Sequence, residues 1–152
     1  MPLPPELLNA TAIALAGKAA LIRGPSGAGK SDLALRCLAQ SPTGLVPGPA
    51  ALVADDYVAL SAEDGRLMIR APETLRGLLE VRGVGIVPVP VVAEAEVRLV
   101  VELVSGERVE RLPDPIPRTS IIRLSLPVLR LAPFEPSSPL KLLIALASGY
   151  GA

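Results

Sequence analysis

The sequence predicts one α/β domain with a mixed sheet, flanking hairpins and few helices, arranged around a phosphate-binding loop. Three observations carry that prediction. Gly24-Pro25-Ser26-Gly27-Ala28-Gly29-Lys30-Ser31 is a complete G-x-x-x-x-G-K-[ST] match between the apolar run Ala19-Ala20-Leu21-Ile22 and the helical pattern Asp32-Leu33-Ala34-Leu35-Arg36-Cys37-Leu38. A second apolar run, Ala51-Leu52-Val53-Ala54, ends in Asp55-Asp56, as the second strand of a βαβ unit would. Short turns at Gly17-Lys18 and Glu63-Asp64-Gly65 make a wholly parallel sheet the poorer choice, because parallel neighbours need long crossovers.

The bulk composition narrows the partners. The chain of 152 residues is read as a single domain over 1–152, long enough to bury a core without staples. Half of its residues are apolar, which argues against disorder. Basic and acidic side chains number 15 each, so no net field draws the chain to nucleic acid or to an anionic membrane. The N-terminus has no basic leader, and the apolar stretch from Val84 to Ala93 is too short and proline-broken to span a bilayer. Cys37 falls in a helical apolar pattern, reads as a core thiol, and is alone, which suits a reducing cytoplasm. Histidine is absent, so carboxylates are left for proton transfer and oxygen ligands for a metal, and a zinc site is excluded.

In chain order, residues 1 to 8 read as a proline-rich irregular lead-in, followed by a strand over Ala10 to Ala16 and the turn at Gly17-Lys18. The strand at 19 to 23 then feeds the phosphate loop. Its glycines let backbone N–H groups from Ser26 to Ser31 turn toward a polyphosphate, and the next helix adds partial positive charge. Lys30 would reach the β- and γ-phosphates and the Ser31 hydroxyl would ligate Mg²⁺. After the loop Ser41 to Pro49, the strand at 51 to 54 brings Asp55 and Asp56 to the phosphate site, since ligands bind outside the carboxyl ends of the strands. One carboxylate can hold the metal while the other takes a proton from an attacking hydroxyl; an Asp-Asp pair can equally just end a strand.

Tyr57 to Leu60 and Leu67 to Arg70 form a second hairpin, and Ala71-Pro72-Glu73 opens a short helix. In Leu79-Glu80-Val81-Arg82-Gly83-Val84-Gly85-Ile86-Val87, alternation places Glu80 and Arg82 on one face, either as an ion pair across a sheet edge or as ligand contacts. Glu96 to Val104 reads as a strand with Val97, Leu99, Val101 and Leu103 on one face and Arg98 and Glu102 on the other. The charged, proline-rich loop from Ser105 to Pro117 offers Arg108 and Arg111 as phosphate contacts or as a solvated charge run. Thr119 to Leu124 and Val128 to Leu131 close the sheet around Pro127, and a helix starting at Pro136-Ser137-Ser138-Pro139 ends at Gly149, covering a sheet face or a subunit contact.

Three of these stretches, Gly24 to Ser31, Leu52-Val53-Ala54-Asp55-Asp56 and Glu80-Val81-Arg82-Gly83-Val84-Gly85-Ile86, resemble the catalytic domain of bacterial HPr kinase/phosphorylase over about residues 8 to 148. That family has an Ala-Asp-Asp strand end and a Glu-Ile-Arg-Gly-Leu-Gly segment. With no counterpart of the long N-terminal regulatory domain of firmicute enzymes, the chain resembles the short form found in alphaproteobacteria. The resemblance implies an HPr kinase/PEP carboxykinase-like P-loop fold and a cytoplasmic hexamer. It implies ATP- and Mg²⁺-dependent phosphorylation of a serine on the phosphocarrier protein HPr, with reverse phosphorolysis. Carried over by position, the resemblance implies that Lys30 contacts phosphate, Arg82 lies against phosphate or Glu80, Ser31, Asp55 and Glu80 hold Mg²⁺, Asp56 is the base, and Arg111 is the catalytic loop arginine. The family's histidine upstream of the phosphate loop is replaced here, in Asn9-Ala10-Thr11, by Asn9, which carries no charge and shuttles no proton. Two other readings stay open: a nucleotide-binding regulatory protein with weak or no transfer, and a small-molecule kinase.

Overall fold

The computed structural model describes residues 5–72 and 77–152; the short helix expected to open at Pro72 lies outside them. The first half of the chain gives β1 (Glu6–Asn9), β2 (Thr11–Leu15), β3 (Lys18–Arg23), α1 (Lys30–Leu38), β4 (Ala51–Ala54), β5 (Tyr57–Glu63) and β6 (Arg66–Arg70). The second half gives β7 (Leu78–Val81), β8 (Gly85–Pro88), β9 (Glu94–Leu103), β10 (Arg118–Ile121), β11 (Leu124–Leu131) and α2 (Ser138–Ser148). Strands run β1-β5-β6-β9-β3-β2-β4 through one mixed sheet, β11 and then β10 join it through β9, and β7 pairs with β8 as a separate hairpin.

The sheet is organised on β9. Residues 96–102 of this strand lie parallel to β3, while its other edge is shared by β6 at residues 94–96 and β11 at residues 100–103. Because β3, β9 and β11 are parallel, the loops that follow them gather at one edge. β2 lies antiparallel between β3 and β4, so α1 carries the chain across β2 and the carboxyl end of β4 returns to that same edge. No helix among the described residues is long and apolar enough to cross a membrane.

Local chemistry sets the turns. Ala16 (φ 52°) and Gly17 (φ 80°) form the first hairpin turn, so Lys18 begins β3 instead of sitting in the turn as the sequence suggested. A type I′ hairpin turn needs positive φ at both central residues, and Ala16-Gly17 supplies that geometry while Leu15 pairs with Lys18. Asp64 (φ 53°) and Gly65 (φ 76°) repeat this between β5 and β6, as expected. A third such turn, at Ile122 (φ 48°) and Arg123 (φ 66°), has no glycine to announce it.

The strands expected at 119–124 and 128–131 are therefore β10 and a continuous β11 that runs through Pro127. Proline is tolerated there because β11 changes partner at that point, from β10 for residues 124–127 to β9 for 128–131. The lead-in also differs from expectation. Glu6–Asn9 is an edge strand on β5, largely exposed on both faces and so without apolar alternation to reveal it.

Both faces of the central strands are buried. In β2, Ile13 and Leu15 join Ile22, Leu99 and Val101 under α1 and α2, while Ala12 and Ala14 join Ala19, Leu21 and Val97 beneath the curl of the sheet. The small alanine side chains let the curled layers approach closely, and the helices fill the roomier face with leucines. The expected single apolar face of β9 is not found: the register with β3 shifts between Val97 and Leu99, leaving Arg98 as an extra, exposed residue. Val97 and Leu99 consequently face opposite layers. Leu142, Leu143 and Leu146 of α2 pack against this sheet and α1, and Gly149 closes the helix with φ 74°.

Cys37 reports on this packing. Burial pushes its thiol up to about 12 from 9.0, with Arg36 opposing the shift. Between those values the unfolded chain loses the proton first, so the Cys37 contribution to stability falls as pH rises above 9. In the native protein a thiol reagent at pH about 8 should therefore leave Cys37 unmodified, and denaturant should release it. Rapid native labelling would contradict this burial.

Candidate active site

Four elements meet at the shared strand edge. β3 delivers Gly24 and α1 begins at Lys30, with Gly29 at φ 103° as the residue before the helix. The Lys30 ammonium donates to the carbonyls of Gly24 at 2.6 Å and Pro25 at 3.3 Å, holding the loop closed upon itself. Arg23, just before the loop, is tied to Glu102 of β9 at 3.0 Å, which anchors the loop's base across the parallel pair. The amide of Ala28 is used internally, donating to Pro25 O at 3.0 Å. The inward run of N–H groups expected from Ser26 to Ser31 is thus interrupted at that residue.

Beneath the loop two hydroxyls share one oxygen of a buried carboxylate. Ser31 donates to Asp55 Oδ1 at 2.7 Å and Thr11 donates to the same oxygen at 2.9 Å. Thr11 is fully buried and Asp55 is 8% exposed. Burial of a charge is tolerated only with such partners. Thr11 reaches this point because β2 starts at the edge where β3 and β4 end.

Asp56 takes the opposite course. Its φ of 70° turns the chain outward, its N–H donates to Thr11 Oγ1 at 3.5 Å, and its carbonyl accepts from Ala10 at 3.0 Å. Aspartate tolerates this left-handed conformation better than most residues. The adjacent acids are thereby separated, Asp55 beneath the floor and Asp56 exposed at the cleft.

The cleft above this floor has a volume of about 490 Å³. It brings Ser26, Gly27, Gly29, Lys30 and Ser31 together with Asp56, Glu80 and Arg82. Glu80 comes from β7, and Arg82 lies in the turn after it, because the strand ends at Val81, whose carbonyl accepts from Val84 at 2.9 Å. Among the described residues Glu80 and Arg82 form no ion pair with each other. Asp32 is paired with Arg36, so Asp56 and Glu80 balance Lys30 and Arg82 in the lining, and the side chains alone offer a polyphosphate no net positive charge. The oxygen donors of Ser31, Asp55 and Glu80 suit Mg²⁺, a hard ion that is held through one or two carboxylates and fills its remaining positions from phosphate and water.

Arg111 is not part of this cleft. With Arg108 it lines a neighbouring cavity of about 530 Å³, between the loop after β9 and α2, beside Arg130 and Lys141. Phe134 and Leu35, which line the cleft, and Thr11 beneath it were not assigned from the sequence. For Thr11 the signal was a lone hydroxyl within a buried apolar strand; for Phe134 it was the only phenylalanine of the chain, set just after the last strand.

A strand, a glycine-bearing loop closed by its own lysine and a helix whose first serine rests on a buried aspartate define a phosphate-loop α/β domain. Residues 5–148 match the family model of the HPr serine kinase C-terminal domain, and the chain belongs to that family. It is 38% identical over 104 residues to an HPr kinase/phosphorylase of Clostridium beijerinckii, covering 64% of this chain and 32% of that protein. It is 33% identical over 108 residues to the protein of the same name from Lactobacillus acidophilus, covering 66% and 31%. The chain thus spans about a third of the length of these curated relatives. In fold it is similar to a solved HPr(Ser) kinase/phosphatase from Coxiella burnetii, with a TM-score of 0.75 over 95% of both chains at 24% identity.

The shared carboxylate gives a direct check on the floor of the site. Thr11→Val keeps the shape of the side chain and removes one of the two hydroxyls on Asp55. Unfolding free energy should fall by about 1–3 kcal/mol in denaturant titration, the usual loss when a buried acceptor loses a partner. An unchanged midpoint would show that Thr11 does not support Asp55.

Proposed function

We propose that the chain acts as one phosphotransfer domain, moving the γ-phosphoryl group of ATP, with Mg²⁺, to a serine hydroxyl of the phosphocarrier protein HPr. Phosphorolysis of the phosphoserine is the reverse reaction. Family membership supports the substrate class. The observation that carries the reading is the separation of the two aspartates: Asp55 accepts from Ser31 under the cleft while Asp56 faces into it.

In this reading Lys30 exchanges its loop carbonyls for β- and γ-phosphate oxygens. Ser31, Asp55 and Glu80 would hold Mg²⁺, which when bound supplies charge neutralisation on the phosphates. Asp56 accepts the proton of the serine hydroxyl as its oxygen bonds to the γ-phosphorus. The bond from that phosphorus to the bridging oxygen breaks and ADP leaves with the electron pair. In phosphorolysis Asp56 returns the proton to the serine oxygen while inorganic phosphate takes the phosphoryl group as pyrophosphate. Arg82 steadies phosphate at the rim. Arg111, on the neighbouring cavity, would act only if the loop after β9 carries it across. Assembly into hexamers belongs to the same proposal and is checked by sedimentation.

A second reading has one observation behind it. Asn9 pairs with Tyr57, next in sequence to Asp56, so the strand position beside the proposed base carries an uncharged residue. A nucleotide-gated regulator without efficient transfer fits that placement. Transfer of label from γ-labelled ATP to HPr, beside HPr with its acceptor serine changed to alanine, separates the two. Serine-dependent labelling is expected; ATP binding without labelling would favour the regulator. Asp56→Asn should retain ATP affinity and slow transfer by roughly 10²–10⁴-fold, and an undiminished rate would remove it as the base.

A further inference from the structure

Phe134 is the single phenylalanine of the chain, and it is 67% exposed. A ring of that size is normally buried, since burial of its apolar area is what makes an aromatic side chain stabilising. Here the surrounding turn is built to hold it out. The Arg36 guanidinium, reaching up from α1, donates to the carbonyl of Pro133 and to that of Glu135 at 3.3 Å, the two residues that flank Phe134. Asp32 holds the Nε of the same guanidinium at 2.9 Å, and the buried Ser138 hydroxyl donates to Ala132 O just before the turn.

The ring so held lies directly over the phosphate loop. A Cβ at Gly29 would come within 2.9 Å of Phe134 Cζ and 3.3 Å of Pro133 Cβ, so a side chain there would displace the ring, on a backbone whose φ of 103° already favours glycine. The turn follows β11, one of the three parallel strands whose carboxyl ends define the site. The cleft therefore has two unlike rims. One carries Asp56, Glu80 and Arg82; the other carries Phe134, with Leu35 lining the cleft as well. The charged rim suits the terminal phosphate and the acceptor hydroxyl. The aromatic rim suits the organic end of the same molecule.

We infer that Phe134 is the platform on which the heteroaromatic base of the nucleotide stacks, with Arg36 as the residue that positions it. This rests on the reading of the loop as a nucleotide site. Stacking is tolerant of base identity, because every base presents a π-face. The consequence is that the protein distinguishes a nucleoside triphosphate from bare inorganic polyphosphate through this ring.

Calorimetric titration with Mg²⁺–ATP and with Mg²⁺–tripolyphosphate tests the inference. The wild type should bind ATP the more tightly. Phe134→Ala should weaken ATP by about tenfold, the order that base–aromatic stacking supplies, and leave tripolyphosphate unchanged. Phe134→Trp should restore ATP affinity, and because the chain has no tryptophan of its own, the fluorescence of that variant should respond to ATP and not to tripolyphosphate. Equal weakening of both ligands by Phe134→Ala, or weakening of neither, overturns the platform while leaving the nucleotide site standing. A wild type that binds neither ligand overturns the nucleotide site and the platform together.

Discussion

Everything at the shared strand edge depends on one oxygen. Asp55 Oδ1 accepts hydroxyls from Thr11 of β2 and Ser31 of α1, and Asp55 itself follows directly on β4. A buried carboxylate without those donors is costly, so the three elements are held in the register that satisfies it. The phosphate loop is then closed from one side by Lys30 on its own carbonyls and from the other by the Arg23–Glu102 pair. The result is a loop whose backbone is fixed by side-chain contacts at both ends, with Lys30 and Ser31 held side by side at the cleft.

The rest of the fold can be understood as support for that edge. β9 keeps β3 and β11 parallel, so the loops bearing Gly29, Arg111 and Phe134 all emerge at the same end. The extra residue at Arg98 lets one strand serve two layers: Val97 faces the alanine-lined curl and Leu99 faces the helices. Both faces of the central strands are thus sealed, and the polar chemistry is confined to the strand ends. Arg36 joins α1 to the turn after β11, since one guanidinium spans Asp32 and the carbonyls on either side of Phe134.

Much of this was legible because it follows from short-range rules. The strand–loop–helix context of Gly24 to Ser31, the strand ending at Asp55-Asp56 and the helix ending at Gly149 each carry their own local signal. What was missed depends on contacts distant in sequence, or on turns with unusual residues. The edge strand Glu6–Asn9 has no apolar face to display, and the turn at Ile122-Arg123 has no glycine. The bulge at Arg98 exists only relative to β3, so the alternation along β9 pointed to one face where there are two. Thr11 meets Asp55 across 44 residues of chain, and Phe134 meets Gly29 from the far end of the sequence, so neither contact leaves a local pattern.

If Asp55 organises a site for a nucleotide together with its metal ion, the metal's contribution to binding must run through that carboxylate. The most direct measurement is ATP affinity with and without Mg²⁺, by calorimetry, in the wild type and in Asp55→Asn. Mg²⁺ is expected to tighten ATP binding to the wild type, and this gain should be largely lost in Asp55→Asn, with metal-free affinity little changed. An equal Mg²⁺ gain in both proteins would contradict that role for Asp55.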